Sequence, residues 1–473
     1  MRIGIVGWGV EGQSVMRWFG PEYEYLIVNE HPRDDFPQKT DKLKVQFLTS
    51  EKPAGLTGNV EDLSYLDGID KCDKIVYSPT SYWNLKRAFG KDKSFWDKTT
   101  TVLHVFFEEV KTKNIIGVTG TKGKGTTATL IHLMLEQALR QSSGPSAGTK
   151  SYLGGNIGTS VLDFIGSVQP NDYVVLELSS FQLFYFPYSP HISICLKIVP
   201  EHLDWHPSLE DYIEAKANIF RHQKEGDIAI YFAGNRYSQQ IAGFSPGQKI
   251  PYFAPPGAVA KDEGVIVVGQ DEIEVIKTSD IKLIGEHNLE NICAAVTTYY
   301  QISQDLEPAR QVLSTFSGLE HRLELVREVN SVKYYDDSFG TNPETAIVAM
   351  AAFTQPKVMI IGGYDRGLSM DPLVDEIMKQ RVRHVVAVGQ TGPKVAEMLK
   401  QKGFQDITLG LKNMSDMVRT AKEKAQSGDV VILSAAAASF DMFKNFVDRG
   451  EQFQKAVLAL WGNSKTSSLR TIP

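Results

Sequence analysis

The chain has 473 residues, of which 42% are hydrophobic, 22% charged and 10% aromatic, and its formal net charge is −6. This composition is typical of a globular protein and excludes a collagenous, fibrous or disordered chain. The mildly acidic balance, without a long run of Lys or Arg, argues against nucleic acid as a partner. Domains usually hold about 100 to 200 residues, so the length favours about three of them.

Cysteine usage and hydropathy indicate a cytoplasmic protein. Cys72, Cys195 and Cys293 are widely spaced, which indicates neither a disulfide framework nor a zinc site. The first residues enter a strand-like segment and lack the pattern of a signal peptide. The longest uncharged stretch, Leu178 to Leu196, contains two prolines and several serines. We therefore expect no membrane insertion.

Short β-branched segments alternate with helix-period segments, which is the pattern of parallel sheets with crossover helices. We divide the chain into blocks 1–102, 103–317 and 318–473, and we expect Gly403 and Gly428 to end helices of the third block. The sequence predicts strands at Arg2–Val6, Tyr25–Asn29, Asn114–Thr119, Tyr173–Glu177, His191–Val199, Val332–Tyr335, Lys357–Ile361, His384–Val388 and Asp429–Leu433.

The first candidate site is a glycine pattern directly after the first strand. Gly7, Gly9 and Gly12 allow backbone amides and a helix N-terminus to approach a diphosphate. A dinucleotide site also needs an acid about 20 residues further on, and Glu30 occupies that place, with Asn29 beside it. A tight strand-to-helix turn without a ligand explains the glycines equally well, so both interpretations stay open.

A second glycine-rich segment lies between a strand and a helix. Its glycines permit a loop whose amides surround a phosphate, Lys124 adds a cation, and Thr126 or Thr127 can offer a hydroxyl to magnesium. The loop is a variant of the common phosphate loop, because Val118 stands at the first glycine position and Gly125 follows the lysine. Its residues are Gly120, Thr121, Lys122, Gly123, Lys124, Gly125, Thr126 and Thr127.

Acidic residues follow two further strands of the same block. Glu177 ends one strand, and His202 and Asp204 follow the next. Ligands of open parallel sheets bind beyond the carboxyl ends of the strands, so we expect these side chains beside the phosphate loop, where they suit magnesium. Without the loop, Glu177 would be interpreted as the partner of a surface lysine and His202 as a helix cap.

Lys216 lies on the apolar face of a predicted helix that begins at a capping pattern, Ser208 with Asp211. A lysine in such a place usually extends its ammonium to the surface. The alternative is a buried lysine with a lowered pKa, which would react with carbon dioxide, because desolvation favours the neutral amine.

Several longer segments, in order along the chain, resemble one family, the Mur ligases. The resemblance covers nearly the whole chain, and its last segment, which continues to Gly450, is most similar to the D-glutamate-adding branch. The segments that carry it are Gly120–Lys124, Gly154–Gly158, Glu177–Gln182, Glu201–Asp204, Lys216, His287–Asn288 with Asn291, Gly318–Arg322 and Ser439–Phe446.

The resemblance implies an α/β protein of three domains. These are a Rossmann-like UDP-binding domain at residues 1–102, a central phosphate-loop ATPase domain with a parallel sheet at 103–317, and a Rossmann-like amino-acid-binding domain at 318–473. The implied activity is an ATP- and Mg²⁺-dependent ligation of D-glutamate to UDP-N-acetylmuramoyl-L-alanine through an acyl phosphate. This is a cytoplasmic step of peptidoglycan synthesis, and so of cell-wall biogenesis, cell shape and cell division. We expect a monomer whose partners are these small molecules.

The same resemblance implies roles for single residues. Catalysis would fall to Lys124, His202 and a carbamylated Lys216. Magnesium would be held by Thr126, Glu177, His202 and Lys216. Besides the loop, ATP would meet Asn288, Asn291, Arg322 and Asp337. The UDP-linked substrate would meet Gly9, Val10, Glu11, Asn29, Glu30, Asn156, Ser179 and Gln182. The incoming amino acid would meet Thr341, Arg366, Ser439, Phe440 and Phe446.

The chain departs from the family pattern at the expected amino-acid pocket. Phe339 stands where the family has a lysine, and Arg366 replaces a second lysine. Phe339 is expected either as a core residue or as a pocket wall. Two alternatives to the D-glutamate ligase stay open. One is a related ligase of L-glutamate-adding or folylpolyglutamate type, the other a nicotinamide-dependent oxidoreductase or nucleotide-sensing protein built on the first glycine pattern.

Overall fold

The computed structural model divides into two compact units. The first comprises residues 1–282 and 287–316, and the second comprises residues 283–286 and 317–473. The residues that the structure describes are 1–30, 36–37, 44–49, 62–141, 148–283, 285, 287–365 and 367–460.

A five-stranded parallel sheet begins the first unit, with the strand order β3-β2-β1-β4-β5. Its first strand is apolar and buried, as expected for a parallel sheet covered on both faces. The elements of this part are β1 (Arg2–Val6), α1 (Val10–Phe19), β2 (Glu24–Asn29), β3 (Lys44–Thr49), β4 (Lys74–Tyr77), α2 (Tyr82–Phe89), α3 (Lys93–Trp96), β5 (Thr99–Thr100) and α4 (Val102–Glu109).

A six-stranded parallel sheet follows in the same unit, with the order β11-β10-β9-β6-β8-β7. Val15, Phe106 and Leu162 belong to one buried cluster, so the hydrophobic core is continuous between the two sheets. The elements are β6 (Ile115–Thr119), α5 (Lys124–Gln141), β7 (Ser151–Gly155), α6 (Val161–Phe164), β8 (Tyr173–Glu177), α7 (Ser180–Leu183), β9 (Ile192–Cys195), α8 (Leu209–Arg221), β10 (Ile228–Phe232), α9 (Arg236–Ala242) and β11 (Gln248–Tyr252).

A small antiparallel sheet and two helices complete the first unit. The three strands pair in sequence order, and the helix after them packs on α5. The elements are β12 (Val259–Lys261), β13 (Val265–Val268), β14 (Ile273–Lys277), α10 (His287–Tyr300) and α11 (Glu307–Thr315).

The second unit holds a six-stranded sheet in the order β15-β16-β20-β17-β18-β19, which is parallel except for its antiparallel edge strand β15. The elements are β15 (Glu324–Val329), β16 (Val332–Asp336), α12 (Pro343–Ala351), β17 (Lys357–Gly362), α13 (Asp371–Lys379), β18 (Val382–Val388), α14 (Gly392–Gln401), β19 (Ile407–Thr408), α15 (Met414–Lys424), β20 (Val430–Leu433) and α16 (Phe446–Ala459).

The predicted α/β class with parallel sheets is confirmed, and each predicted strand is present, most with ends within two residues. The strand predicted to reach Val199 is wrong at its end: β9 stops at Cys195, because the backbone beyond it bonds to the phosphate loop. Gly403 follows α14 at φ +90° with the hydrogen bonds of a Schellman motif, as predicted. Gly428 was predicted wrongly, since α15 already ends at Lys424. Among the described residues, no helix has the length and apolar character that crossing a membrane requires.

Candidate active site

The second glycine-rich segment forms a tight loop at the carboxyl end of the central strand β6. Gly120 and Gly123 have φ values of +147° and +86°, which side-chain-bearing residues rarely adopt. A Cβ atom on Gly123 would also lie 2.0 Å from Oδ1 of Asn291. The helix α5 begins at Lys124, so its N-terminal amides face the loop. A strand, a glycine loop and a helix N-terminus in this order form an anion site.

The Lys124 ammonium folds back over this loop. Its Nζ donates hydrogen bonds to the carbonyl oxygens of Gly120 and Thr121, at 3.2 and 3.0 Å. Thr126 and Thr127 are buried in the first turn of α5. Among the described residues, no hydrogen-bond partner is present for Oγ1 of Thr127. A buried hydroxyl without a partner beside an anion site is a suitable ligand for a bound phosphate or its metal ion.

Lys216 is buried against the same loop. Ser208 immediately precedes the helix α8, and its side chain accepts a hydrogen bond from the amide of Asp211, so the predicted cap is present. Lys216 is only 1% exposed, its Nζ donates to the Gly120 carbonyl at 2.8 Å, and the ammonium lies 4.6 Å from the ring centre of Tyr212. Burial, and secondarily Lys124, lower the pKa of Lys216 to about 7. The interpretation of Lys216 as a lysine that extends to the surface is therefore wrong.

Glu177 and His202 complete this cluster. Glu177 ends β8, is buried, and accepts a hydrogen bond of 3.0 Å from Asn156 rather than from a lysine. His202, at φ +57°, precedes α8 and does not cap it. Burial lowers the pKa of His202, with contributions from nearby Lys124 and Lys216. The structure thus brings together Lys124, Glu177, His202 and Lys216, which are four of the side chains predicted for phosphate and metal.

The donor set fits Mg²⁺. The carboxylate of Glu177 and the hydroxyls of Thr126 and Thr127 supply oxygen ligands, which this ion prefers, and His202 adds an imidazole nitrogen. A carboxylate oxygen of Glu201 lies 3.7 Å from Nε2 of His202. Glu201 also forms an ion pair with Lys122, so Lys122 contacts an acidic residue beside the cluster.

The two asparagines predicted for ATP lie beside the loop. Asn288 and Asn291 are buried in the first turns of α10, and Nδ2 of Asn291 donates to Oδ1 of Asn288 at 2.9 Å. The close approach of Asn291 to Gly123 places this pair at the wall of the loop.

A cavity of about 460 Å³ opens at the first glycine pattern. Six of the eight residues predicted to meet the UDP-linked substrate line it, namely Gly9, Val10, Glu11, Asn29, Glu30 and Asn156. The other two, Ser179 and Gln182, form the capping box of α7, and Nε2 of Gln182 donates to Glu11 at 3.0 Å. Trp8, Tyr65 and Ser160, which were not predicted, also line the cavity. Trp8 stands inside the glycine pattern and could have been found; Ser160 has no signal in the sequence.

The second unit carries the other predicted residues. Asp337 is buried, accepts from Ser434 at 2.7 Å, and has its pKa raised to about 7 by burial. The guanidinium of Arg322 lies 4.3 Å from the ring centre of Phe339. Phe339 is 41% exposed, so its interpretation as a core residue is wrong.

Phe446 and Phe339 face each other edge to face, with ring centres 5.2 Å apart. Ser439 is buried, Phe440 is exposed and Thr341 is partly buried. Arg366 lies outside the described residues. A residue that the sequence analysis missed is Arg449, whose guanidinium is buried and donates to Oγ and the carbonyl of Ser338 and to the carbonyl of Ala437. Burial lowers the pKa of Arg449 to about 10.

Fold and loop together define a nucleotide-binding α/β protein of the phosphate-loop class. Family models match residues 118–299 as the Mur ligase middle domain and residues 321–437 as the Mur ligase glutamate ligase domain. The chain belongs to the Mur ligase family.

The relatives that support this assignment match over most of their length. The UDP-N-acetylmuramoylalanine--D-glutamate ligase of Acetivibrio thermocellus is 37% identical, over 83% of this chain and 84% of its own. The enzyme of that name from Clostridium kluyveri is 36% identical over 96% of both chains. Family membership favours the ligase interpretation over the oxidoreductase and nucleotide-sensing ones.

Solved structures agree in fold. The UDP-N-acetylmuramate-alanine ligase of Thermotoga maritima superimposes with a TM-score of 0.57 at 16% identity, over 98% of this chain and 100% of its own. The MurF ligase of the same organism, in complex with ADP, superimposes with a TM-score of 0.55 at 16% identity, over 97% of this chain and 95% of its own.

Proposed function

We propose that this protein is an ATP-dependent ligase that joins D-glutamate to UDP-N-acetylmuramoyl-L-alanine, a cytoplasmic step in the synthesis of peptidoglycan. The observation that carries the proposal is the convergence of Lys124, Glu177, His202 and Lys216 on one phosphate loop. The D-glutamate ligase relatives supply the substrate assignment. The protein acts as a monomer, with domains at residues 1–102, 103–317 and 318–473.

The reaction proceeds in two steps, phosphoryl transfer and then amide formation. The carboxylate of the UDP-linked alanine attacks the γ-phosphorus of ATP, which forms an acyl phosphate and releases ADP. The amine of glutamate then attacks the acyl carbon, and the tetrahedral intermediate expels phosphate. Loss of a proton from the nitrogen completes the amide.

The loop residues bind the phosphates in this scheme. The amides of Gly120 to Thr127 and the Lys124 ammonium hold the transferring group, where a fixed positive charge stabilises the transition state. Glu177, His202 and Thr126 would hold Mg²⁺, which would supply positive charge to offset the negative charge of the phosphoryl oxygens. Asn288 and Asn291 meet the adenine.

Lys216 contributes as a carbamate. Its amine, neutral in a substantial fraction because burial lowers its pKa to about 7, adds to carbon dioxide and loses a proton. The product is a carboxylate in place of a buried cation, and it orients the metal ligands. Arg322 and Asp337 contribute to nucleotide binding, and Thr341, Arg366, Ser439, Phe440 and Phe446 bind the incoming glutamate.

One observation favours a second candidate, a Mur-type ligase with another acceptor such as L-glutamate, or an enzyme of folylpolyglutamate type. Phe339 occupies a family lysine position and is exposed enough to contact a ligand. An aromatic side chain at that position lacks the cation that would offset the charge of a bound carboxylate, so the pocket need not select D-glutamate as the family pattern does.

Phosphate release tests the proposal directly. Wild-type protein should release phosphate only when Mg²⁺, ATP, UDP-N-acetylmuramoyl-L-alanine and D-glutamate are all present. Lys124→Ala should lose most of this activity, whereas the control Lys111→Ala, at an exposed position, should keep it. Comparable release without the UDP-linked substrate would reject the proposal, and an active Lys124→Ala variant would move the ATP site elsewhere.

A further inference from the structure

Three side chains on one face of α1 attach this helix to the second sheet region of the same unit. Glu11 accepts from Gln182, Ser14 shares a hydrogen bond of 2.7 Å with Ser160, and Arg17 forms two hydrogen bonds of 2.8 Å with Asp163. The spacing of three residues keeps all of them on one side of the helix. The N-terminus of this helix faces the cavity, so Glu11 stands where the helix, the cavity and α7 meet.

The side-chain amide of Gln182 has a fixed orientation, and this orientation determines which hydrogen bond Glu11 receives. Oε1 of Gln182 accepts hydrogen bonds from the backbone amide and the hydroxyl of Ser179, both at 3.1 Å. A backbone amide can only donate, so the Gln182 side chain cannot be turned around. Its Nε2 therefore donates to Glu11, and one oxygen of the Glu11 carboxyl has a fixed partner.

The cavity offers a diphosphate no positive side chain among the described residues that line it. Its described lining includes two acids, Glu11 and Glu30, together with the phenol of Tyr65, whose pKa burial raises to about 12. Asn156 of the cavity lining donates a hydrogen bond to a third acid, Glu177. Further along α1, Arg17 forms an ion pair with Asp163. A diphosphate held by the amides of the glycine pattern and the first turn of α1 would thus lie close to a carboxylate on that same turn.

We propose that Glu11 binds the UDP-linked substrate as the neutral carboxylic acid, so that one proton enters the site together with the substrate. This inference rests on the proposed function, which supplies the diphosphate. The proton comes from solvent and attaches to a carboxyl oxygen of Glu11. The acid then donates to an oxygen of the substrate while its other oxygen accepts from Gln182.

Two physical effects act in the same direction. A like charge nearby disfavours the ionised form of a carboxyl group, and the substrate brings such a charge next to Glu11. Burial already raises the pKa of Glu11, and its bond from Gln182 offsets this only in part. The diphosphate therefore shifts the pKa of Glu11 in the same direction as burial does.

Calorimetry of UDP-N-acetylmuramoyl-L-alanine binding, without ATP, tests the inference. The titration is repeated at pH 8 in buffers of different ionisation enthalpy, because the dependence of the heat on the buffer counts the protons taken up. Wild type should take up close to one proton, and its affinity should fall about tenfold per pH unit once the free carboxyl is ionised. The diphosphate diester has no group that titrates in this range.

The matched variants separate a proton effect from a structural one. Glu11→Gln keeps an acceptor for Gln182 and a donor for the substrate, so it should bind without proton uptake and without this pH dependence. Asp163→Asn weakens the attachment of the same helix face at Arg17 and should keep the proton uptake. Equal uptake in wild type and Glu11→Gln, or wild-type binding without any uptake, would overturn the inference alone. No binding of this substrate by wild type would overturn the proposed function and the inference with it.

Discussion

The ammonium of Lys216 donates a hydrogen bond of 2.8 Å to the carbonyl oxygen of Gly120. This contact joins the middle of α8 to the first glycine of the phosphate loop, 96 residues away in the chain. It explains why a lysine occupies the buried face of a helix: its amine reaches the phosphate loop. The same contact places Lys216 close enough to Lys124 for their charges to oppose each other.

Gly123→Ala should abolish activity. The alanine would have to adopt a φ of +86°, and its Cβ would lie 2.0 Å from Asn291, so both the loop and the asparagine pair must shift. We expect a stability loss of about 1–3 kcal/mol and a phosphate release rate near background. Gly226→Ala is the control, because no atom beyond its own chain neighbours lies within 4 Å of its Cβ position. Equal activity of the two variants would show that the loop does not bind ATP as proposed.

The buried Lys216 makes stability depend on pH. Its folded-state pKa is about 7, against about 10.4 in an unfolded chain. Between these values the unfolded protein binds the extra proton, so the free energy of unfolding rises with pH, by up to about 1.4 kcal/mol per unit. The gain should be present in wild type and absent in Lys216→Met, as measured by urea unfolding from pH 6.5 to 9.5 in bicarbonate-free buffer. Parallel pH profiles would mean that Lys216 titrates normally.

Arg449 stabilises the loop that carries Asp337 and Phe339. Arg449→Met removes three hydrogen bonds and leaves Ser338 and Ala437 with buried oxygens that lack this donor. We expect a loss of about 2–4 kcal/mol in the free energy of unfolding, because a buried charged donor is lost. Arg419→Met, which removes an exposed ion pair with Asp416, should cost less than about 1 kcal/mol. Losses of similar size in urea unfolding would contradict the structural role of Arg449.

The sequence alone predicts that Arg366 binds the acceptor amino acid. An arginine can bind a carboxylate through two parallel hydrogen bonds, which a lysine cannot do, and so could compensate for the lysine replaced by Phe339. Arg366→Ala should raise the KM for D-glutamate far more than the KM for ATP in steady-state assays. Similar increases in both constants would remove Arg366 from the amino-acid pocket.

The strands and the phosphate loop were predictable because each signal is local. The strand pattern, the glycines and the start of the helix all fall within a short stretch of sequence. The attachment of α1 was not predictable: Arg17 and its partner Asp163 are 146 residues apart, and Glu11 and Gln182 are 171 apart. The helical period placed Lys216 on the apolar face of α8 but did not show how deeply its side chain is buried. That depends on the packing around α8, which decides whether the ammonium reaches solvent. Gly428 failed as a cap because a glycine at positive φ also suits the turn that precedes β20.

Mass spectrometry of the reaction mixture identifies the ligated product. Wild-type protein is incubated with Mg²⁺, ATP, UDP-N-acetylmuramoyl-L-alanine and either D- or L-glutamate. With D-glutamate we expect a new UDP-linked species, heavier than the substrate by one glutamate less one water, together with equal amounts of ADP and phosphate. A product formed in preference with L-glutamate, or ADP and phosphate without any UDP-linked product, would contradict it.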